Sequence, residues 1–77
     1  MAARLPVCNG QEVIRALNAA GFGLRRVKGS HHVMRNLGPP VRDVTVPVHG
    51  AKALKRATLS SIIKQAGLTV EEFIALL

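Results

Sequence analysis

The sequence contains few of the residues that form disulfides, thiolate metal sites and aromatic surfaces. Its 77 residues include one cysteine, two phenylalanines and neither tryptophan nor tyrosine. The single cysteine, Cys8, excludes an internal disulfide and cannot anchor a thiolate metal site by itself. The core must therefore be built mainly from Leu, Ile, Val and Ala, and we expect Phe22 and Phe73 within it.

Long apolar runs are also absent. No segment approaches the roughly 20 apolar residues that cross a bilayer, and residues 1–10 lack the apolar stretch of a signal peptide. We therefore expect a cytoplasmic protein that does not bind membranes. A single domain of this length buries only about 60% of the surface that its unfolded chain exposes. Self-association or a protein partner that covers apolar surface would stabilise it, so this length is compatible with a homo-oligomer or a hetero-oligomer.

Acidic residues are scarce as well. Four Asp and Glu stand against eleven Lys and Arg, which gives a formal net charge of +7. A positive field of this size on a small protein favours an anionic partner. Nucleic acid is the first candidate, ahead of a membrane surface or an acidic protein. A solvated basic surface without a partner is the alternative.

Two capping boxes mark the first and the last helix. Asn9 and Glu12 have the spacing at which the side chains of the N-cap and N3 residues satisfy free N–H groups at a helix start. Thr69 and Glu72 repeat this spacing near the end of the chain. The two helices are predicted at about residues 10–20 and 70–76.

Short extended segments follow the first helix. They are predicted at about residues 22–28, 31–36 and 43–48. Gly29-Ser30 forms the turn between the first two segments, and a proline-containing loop separates the second from the third. Val44, Val46 and Val48 alternate along the third segment, so they share the face of the sheet that covers the core.

A further helix is predicted to begin with Thr58 as its N-cap and to end at Gly67. The order of one helix, three strands and then one or two helices predicts a small α+β fold. Its three-stranded antiparallel sheet would carry the helices on one face and leave the other face open. We expect a single domain over residues 9–77, after a flexible N-terminal tail of residues 1–8.

The sharpest local feature is a pair of histidines, His31 and His32, directly after the Gly29-Ser30 turn. Consecutive strand residues face opposite sides of a sheet, so only one of the two is expected to face a working surface. An imidazole suits proton transfer at neutral pH. Removal of the proton from a 2′-hydroxyl of RNA makes that oxygen attack the adjacent phosphate without a metal ion. From the residues alone, a structural role for the pair is the more common alternative.

No metal or other cofactor is predicted around this pair, because the nearest carboxylate belongs to Asp43 and His49 is remote in sequence. His49 is expected either to bind RNA or to hold the loop at its strand end. Basic residues near the histidines and before the third helix are candidates for holding phosphates. They are Arg25, Arg26, Lys28, Arg35, Lys52 and Lys55.

For two pairs of these basic residues, the sequence also predicts a position in the fold. Arg25 and Arg26 are neighbours on a strand and should point to opposite faces, so at least one should lie on the open face. Lys52 and Lys55 precede the predicted Thr58 helix. In proteins that bind double-stranded RNA, basic residues near a helix start bind phosphates. A solvated basic face is an equal alternative for this second pair.

Four segments in this order resemble the HicA family of toxins. They are Gly21-Phe22, Val27–His32, Val44–Gly50 and Thr58–Leu68. Each segment alone is unremarkable, but the ordered set is specific.

The resemblance implies a fold like that of the double-stranded RNA-binding domain, and an activity that cleaves messenger RNA independently of translation. It also implies neutralisation by a HicB-like antitoxin, and hence a toxin–antitoxin hetero-oligomer. In the family the catalytic histidine lies in a Gly-Ser-His motif, which matches His31, while relatives with a single histidine one position later leave His32 as the alternative. The same motif matches Gly29 and Ser30, which we expect to form the turn at the RNA.

The chain departs from the family pattern beside this motif. Met34 stands where an aromatic residue is common, and Arg35-Asn36-Leu37 replaces a basic-His-Pro sequence. These departures bear on base stacking and sequence preference. Two alternatives to a ribonuclease therefore stay open, a non-catalytic RNA-binding module and a small protein whose basic surface only docks an acidic partner.

Overall fold

The computed structural model describes residues 4–77, and Met1 to Ala3 of the expected tail lie outside them. The elements are α1 (Gly10–Ala19), β1 (Gly23–Lys28), β2 (His31–Asn36), β3 (Arg42–Pro47), α2 (Arg56–Gln65) and α3 (Val70–Leu76). The strands form one antiparallel sheet in the order β1-β2-β3. The predicted α+β fold with its short last helix is confirmed. In the described chain, no helix has the length and apolar character to span a membrane.

Both predicted capping boxes are formed. The Asn9 side chain accepts from the Glu12 N–H at 2.9 Å, and the Glu12 carboxylate accepts from the Asn9 N–H at 2.8 Å. Thr69 and Glu72 exchange the same two hydrogen bonds at 3.0 and 2.8 Å. Because each box satisfies N–H groups that have no partner within the helix, α1 and α3 begin where the local sequence specifies.

The middle helix begins earlier than predicted. Its N-cap is Lys55, which is extended (φ −63°, ψ 146°) and makes no side-chain cap. Arg56 and Ala57 are good helix formers, so the helix extends over them even without a capping side chain. Thr58 lies in the first turn, and the prediction that it caps the helix is wrong.

One face of the sheet packs against the helices and forms one side of the hydrophobic core. Met34 of β2 lies opposite Val44 of β3, and both are fully buried, as is Val46. Val48, just beyond β3, packs against them while remaining partly exposed. The prediction that the three alternating valines share the core face is confirmed. The opposite face, to which the exposed Thr45 belongs, has no fully buried residue in the three described strands.

The helices cover the core face of the sheet unevenly. Helices α1 and α2 pack on β3, and α3 packs on α1. Phe22 and Phe73 are buried in the resulting core, as expected. At the other edge of the sheet, all six residues of β1 are exposed. Leu24 and Val27, which are in register with residues of the core face, remain 56% and 51% exposed.

The packed chain begins before the first helix. Cys8, assigned to the tail from the sequence, is buried in the core, and its carbonyl accepts from the Leu54 N–H at 2.9 Å. Leu5 packs against the same core. Burial raises the pKa of the Cys8 thiol above its ordinary value, and Glu12 adds to this effect. The thiol therefore stays neutral and behaves as a small apolar side chain.

Candidate functional site

The two adjacent histidines lie on opposite faces of the sheet. His32 is opposite the fully buried Val46, so it points to the helix side, where it is half-buried. Its Nδ1 atom is buried and has no hydrogen-bond partner among residues 4–77. His31 lies on the open face and is exposed. Only His31 is thus accessible from the open face, as the period of the strand predicts.

Pro47 is the cross-strand neighbour of His31 on β3. The two residues lie directly opposite each other, and the Val48 N–H next to the pair donates to the Ser30 carbonyl at 2.7 Å. This bond flanks a non-hydrogen-bonded pair, in which Cα atoms lie about 4.5 Å apart and side chains approach closely. Proline suits the position because it has no N–H to donate. The imidazole of His31 therefore stands beside the last residue of β3.

The turn before His31 has the expected conformation. Gly29 has a φ of +59°, in the left-handed region that side chains rarely adopt. With Ser30 it forms a two-residue connection, after which Lys28 and His31 lie directly opposite each other. The turn therefore makes Lys28 and His31 direct cross-strand neighbours on the open face.

An irregularity in the β1–β2 pairing adds two arginines to the open face. Arg26 lies opposite Val33, on the same face as His31. The register shifts between Leu24 and Arg26, which makes Arg25 an extra residue in a β-bulge. The Arg25 guanidinium reaches the Asp43 carboxylate at 3.3 Å. The side chains of Arg25 and Arg26 thus both lie on the open face. The expectation that they point to opposite faces is wrong.

Asp43 compensates part of the positive charge on the open face by forming ion pairs. Arg35 donates two hydrogen bonds to its carboxylate, at 2.7 and 2.9 Å, and Arg25 forms the second ion pair. The hydrogen bond from Arg35 holds the pKa of Asp43 below its ordinary value. Among the described residues, Arg26 and Lys28 form no ion pair. The uncompensated charge of β1 therefore lies at the end of the sheet that carries His31.

A cavity of about 320 Å³ opens beyond β3 at this same end. Its wall includes Pro47, His49, Lys52, Lys55 and Thr58. Because Pro47 is also the neighbour of His31, the cavity and the open face meet at one residue. The two lysines predicted to bind RNA thus lie close to the predicted catalytic end of the sheet.

The sequence predicts neither Pro47 nor Thr58 at the site, and it predicts for His49 either RNA binding or a role in holding the loop, without a place beside His31. The one signal in the sequence is that His49 follows Pro47 by two residues, at the end of an alternating strand. Within residues 4–77, no three His, Cys, Asp or Glu side chains are grouped so that they could hold a metal ion. The residues at this end of the sheet carry imidazoles, ammonium groups and a hydroxyl, and the guanidinium of Arg26 belongs to the open face. Such a set can bind a phosphodiester and move protons on it.

One family matches most of the chain. The family described as HicA toxin of bacterial toxin-antitoxin matches residues 10–68, from the start of α1 through the sheet and α2. No curated protein matches the chain. The matched region contains His31, the basic residues of β1 and the cavity. The chain belongs to the HicA toxin family.

Proposed function

We propose that this toxin is an endoribonuclease that cleaves messenger RNA, with His31 as the residue that moves the proton. The observation that carries the proposal is the position of His31, which is exposed on the open face directly opposite Lys28. The family makes the chain the toxin of a toxin–antitoxin system. Messenger RNA as its target implies that it acts in the cytoplasm.

The proposed reaction uses the 2′-hydroxyl of RNA as the nucleophile. His31 accepts the proton of this hydroxyl, and the oxygen attacks the adjacent phosphorus. The products are a 2′,3′-cyclic phosphate and a free 5′-hydroxyl. This chemistry uses no metal ion, because the nucleophile comes from the substrate and an imidazole activates it.

Basic side chains on the open face would hold the phosphodiester. Lys28 and Arg26 are free of ion pairs within the described chain, so they can bind phosphate oxygens without first losing a partner. Arg25 and Arg35 must first give up their ion pairs with Asp43 before they can bind the phosphate. Gly29 and Ser30 contribute the turn that allows the RNA to approach closely.

A HicB-like antitoxin would neutralise this activity by binding the toxin. The toxin family implies an antitoxin partner, and the net charge of +7 favours an acidic binding surface on it. Such a complex would be the hetero-oligomer in which the toxin is inactive.

The test compares two neighbouring histidines that differ in the face they occupy. We expect the purified protein to cut a structured messenger RNA in EDTA, and His31→Ala to lose about 10² to 10⁴ in rate. His32→Ala is the matched control and should retain cleavage where it folds. Circular dichroism and thermal unfolding of both variants separate loss of chemistry from loss of structure.

Two results would contradict the proposal. Full activity of His31→Ala would remove His31 from the chemistry, and loss of activity in a folded His32→Ala alone would move the role by one residue. RNA binding without cleavage by the unmodified chain would identify a non-catalytic RNA-binding module instead.

A further inference from the structure

We infer that His49 is a second catalytic residue, which donates a proton to the leaving 5′-oxygen, and this inference rests on the proposed ribonuclease function. His49 is exposed and forms part of the wall of the cavity at the end of β3. The phosphodiester would lie between this wall and His31.

The reaction requires two proton transfers at two different oxygens. As the bond from the 2′-oxygen to phosphorus forms, the bond from phosphorus to the 5′-oxygen breaks. The 2′-hydroxyl loses its proton to His31, and the 5′-oxygen must gain a proton to leave as a hydroxyl. The attacking and leaving oxygens lie on opposite sides of the phosphorus, so one imidazole cannot reach both in the same displacement.

The register of the sheet places a second imidazole at a suitable distance. His31 lies opposite Pro47, and His49 follows Pro47 by two residues. Two residues of chain span at most about 7 Å, and the cross-strand pair separates Cα atoms by about 4.5 Å. The Cα atoms of the two histidines are thus within about 12 Å of each other. This spacing leaves room for a phosphate group between their rings.

The other protic groups near this site are poorly matched to proton donation at neutral pH. Lysine ammonium groups ordinarily titrate near pH 10.4, and the threonine hydroxyl is a weaker acid still. Lys52, Lys55 and Thr58 are therefore better suited to binding the phosphate oxygens in the cavity. Asp43 lies at the opposite end of β3 and is held by Arg35. An imidazole remains as the group whose titration range fits the task.

The experiment changes the leaving atom of the substrate. An RNA fragment that the unmodified protein cuts at a mapped position is synthesised twice, once unchanged and once with sulfur in place of the bridging 5′-oxygen at that position. A thiolate leaves without a proton donor, so loss of the acid should matter only for the oxygen substrate. We expect His49→Ala to lose about 10² to 10⁴ in rate on the oxygen substrate and to stay within about tenfold of the unmodified protein on the sulfur substrate.

Two variants keep this test specific. His31→Ala should be impaired on both substrates, because the 2′-hydroxyl still has to be activated. Lys52→Ala should raise KM on both substrates equally and leave the pH profile unchanged. The unmodified protein should show a bell-shaped pH profile for kcat/KM, and His49→Ala should lack the alkaline limb, along which the acid loses its proton.

The outcomes separate the two proposals. Equal losses on both substrates, or an unchanged rate on the oxygen substrate, would overturn the role of His49 while the ribonuclease function stood. Rescue of His31→Ala by sulfur would overturn this assignment of acid and base. No cleavage by the unmodified protein would overturn both proposals. Thermal unfolding of His49→Ala shows whether the loop keeps its structure.

Discussion

The two edges of the sheet differ sharply although both edge strands are six residues long. Strand β3 buries Val44 and Val46 beneath the helices, whereas β1 is exposed along its whole length. Strand β1 also carries three cations and no carboxylate. Strand β3 thus contributes buried apolar contact, β1 contributes exposed positive charge, and β2 joins the two. A substitution should therefore have different consequences at the two edges.

The largest expected difference concerns two valines that flank His32 in the same row of the sheet. Val46 is fully buried and Val27 is 51% exposed. We expect Val46→Ala to lower the free energy of unfolding by about 2–3 kcal/mol, which corresponds to a decrease in Tm of roughly 10 °C or more in a domain of this size. Val27→Ala should change it by less than about 0.5 kcal/mol. Urea unfolding of both variants measures the difference, and equal costs would show that the helices also cover β1.

RNA affinity should show a smaller difference, between one cation of the β1 edge and one ion-paired cation of the central strand β2. Lys28 is free of ion pairs in the described chain, whereas Arg35 is held by Asp43. Each phosphate contact on single-stranded RNA contributes a slope of about −0.7 to log K against log salt, or about fivefold in affinity at 0.1 M salt. We expect Lys28→Ala to lose this contact and Arg35→Ala to lose less. Binding measured across a salt series would contradict the comparison if Arg35→Ala had the larger change in slope.

The smallest expected effect concerns Asp43 and depends on pH. Arg35 holds the folded pKa of Asp43 below its ordinary value, so the ionised carboxylate stabilises the fold above the unfolded pKa of about 3.9. This contribution disappears as pH falls through the lower folded pKa. The stability difference between the unmodified protein and Asp43→Asn should thus be constant from pH 7 to about pH 5 and shrink below about pH 4.

Asp43→Asn also frees two guanidinium groups for RNA. We expect its RNA affinity at neutral pH to rise, since Arg25 and Arg35 no longer have a carboxylate partner. Thermal unfolding at several pH values and RNA binding at pH 7 measure the two effects. A stability difference that persisted unchanged at pH 3 would show that the charge of Asp43 is not its cause.

Local sequence determined the parts of the fold that were predicted correctly. The capping boxes at Asn9 and Thr69 need only side chains three residues away, and the alternation of the β3 valines needs only the period of a strand. Thr58 failed as a cap because a suitable residue type does not prevent a helix from starting earlier at good helix formers.

Features that depend on pairing between strands were not visible in the sequence. The bulge at Arg25 exists only relative to β2, and it directs the side chain against the period of the strand. His49 joined the site because the β2–β3 register places Pro47 opposite His31. The exposure of Val27 depends on where the helices pack, which composition does not specify. Candidate residues could thus be chosen from their chemical type, but their grouping in space could not be predicted.

Gly10 connects the first helix to the proposed catalytic end of the sheet. A methyl group at this position would lie 2.5 Å from the Pro47 carbonyl oxygen and 2.8 Å from Cγ2 of Val48. The start of α1 and the end of β3 therefore pack so closely that Gly10 has no room for a side chain of its own. The chain continues from this contact to His49, at the proposed catalytic end of the sheet. A residue without any functional group thereby allows α1 to pack directly against the segment from which the proposed acid extends.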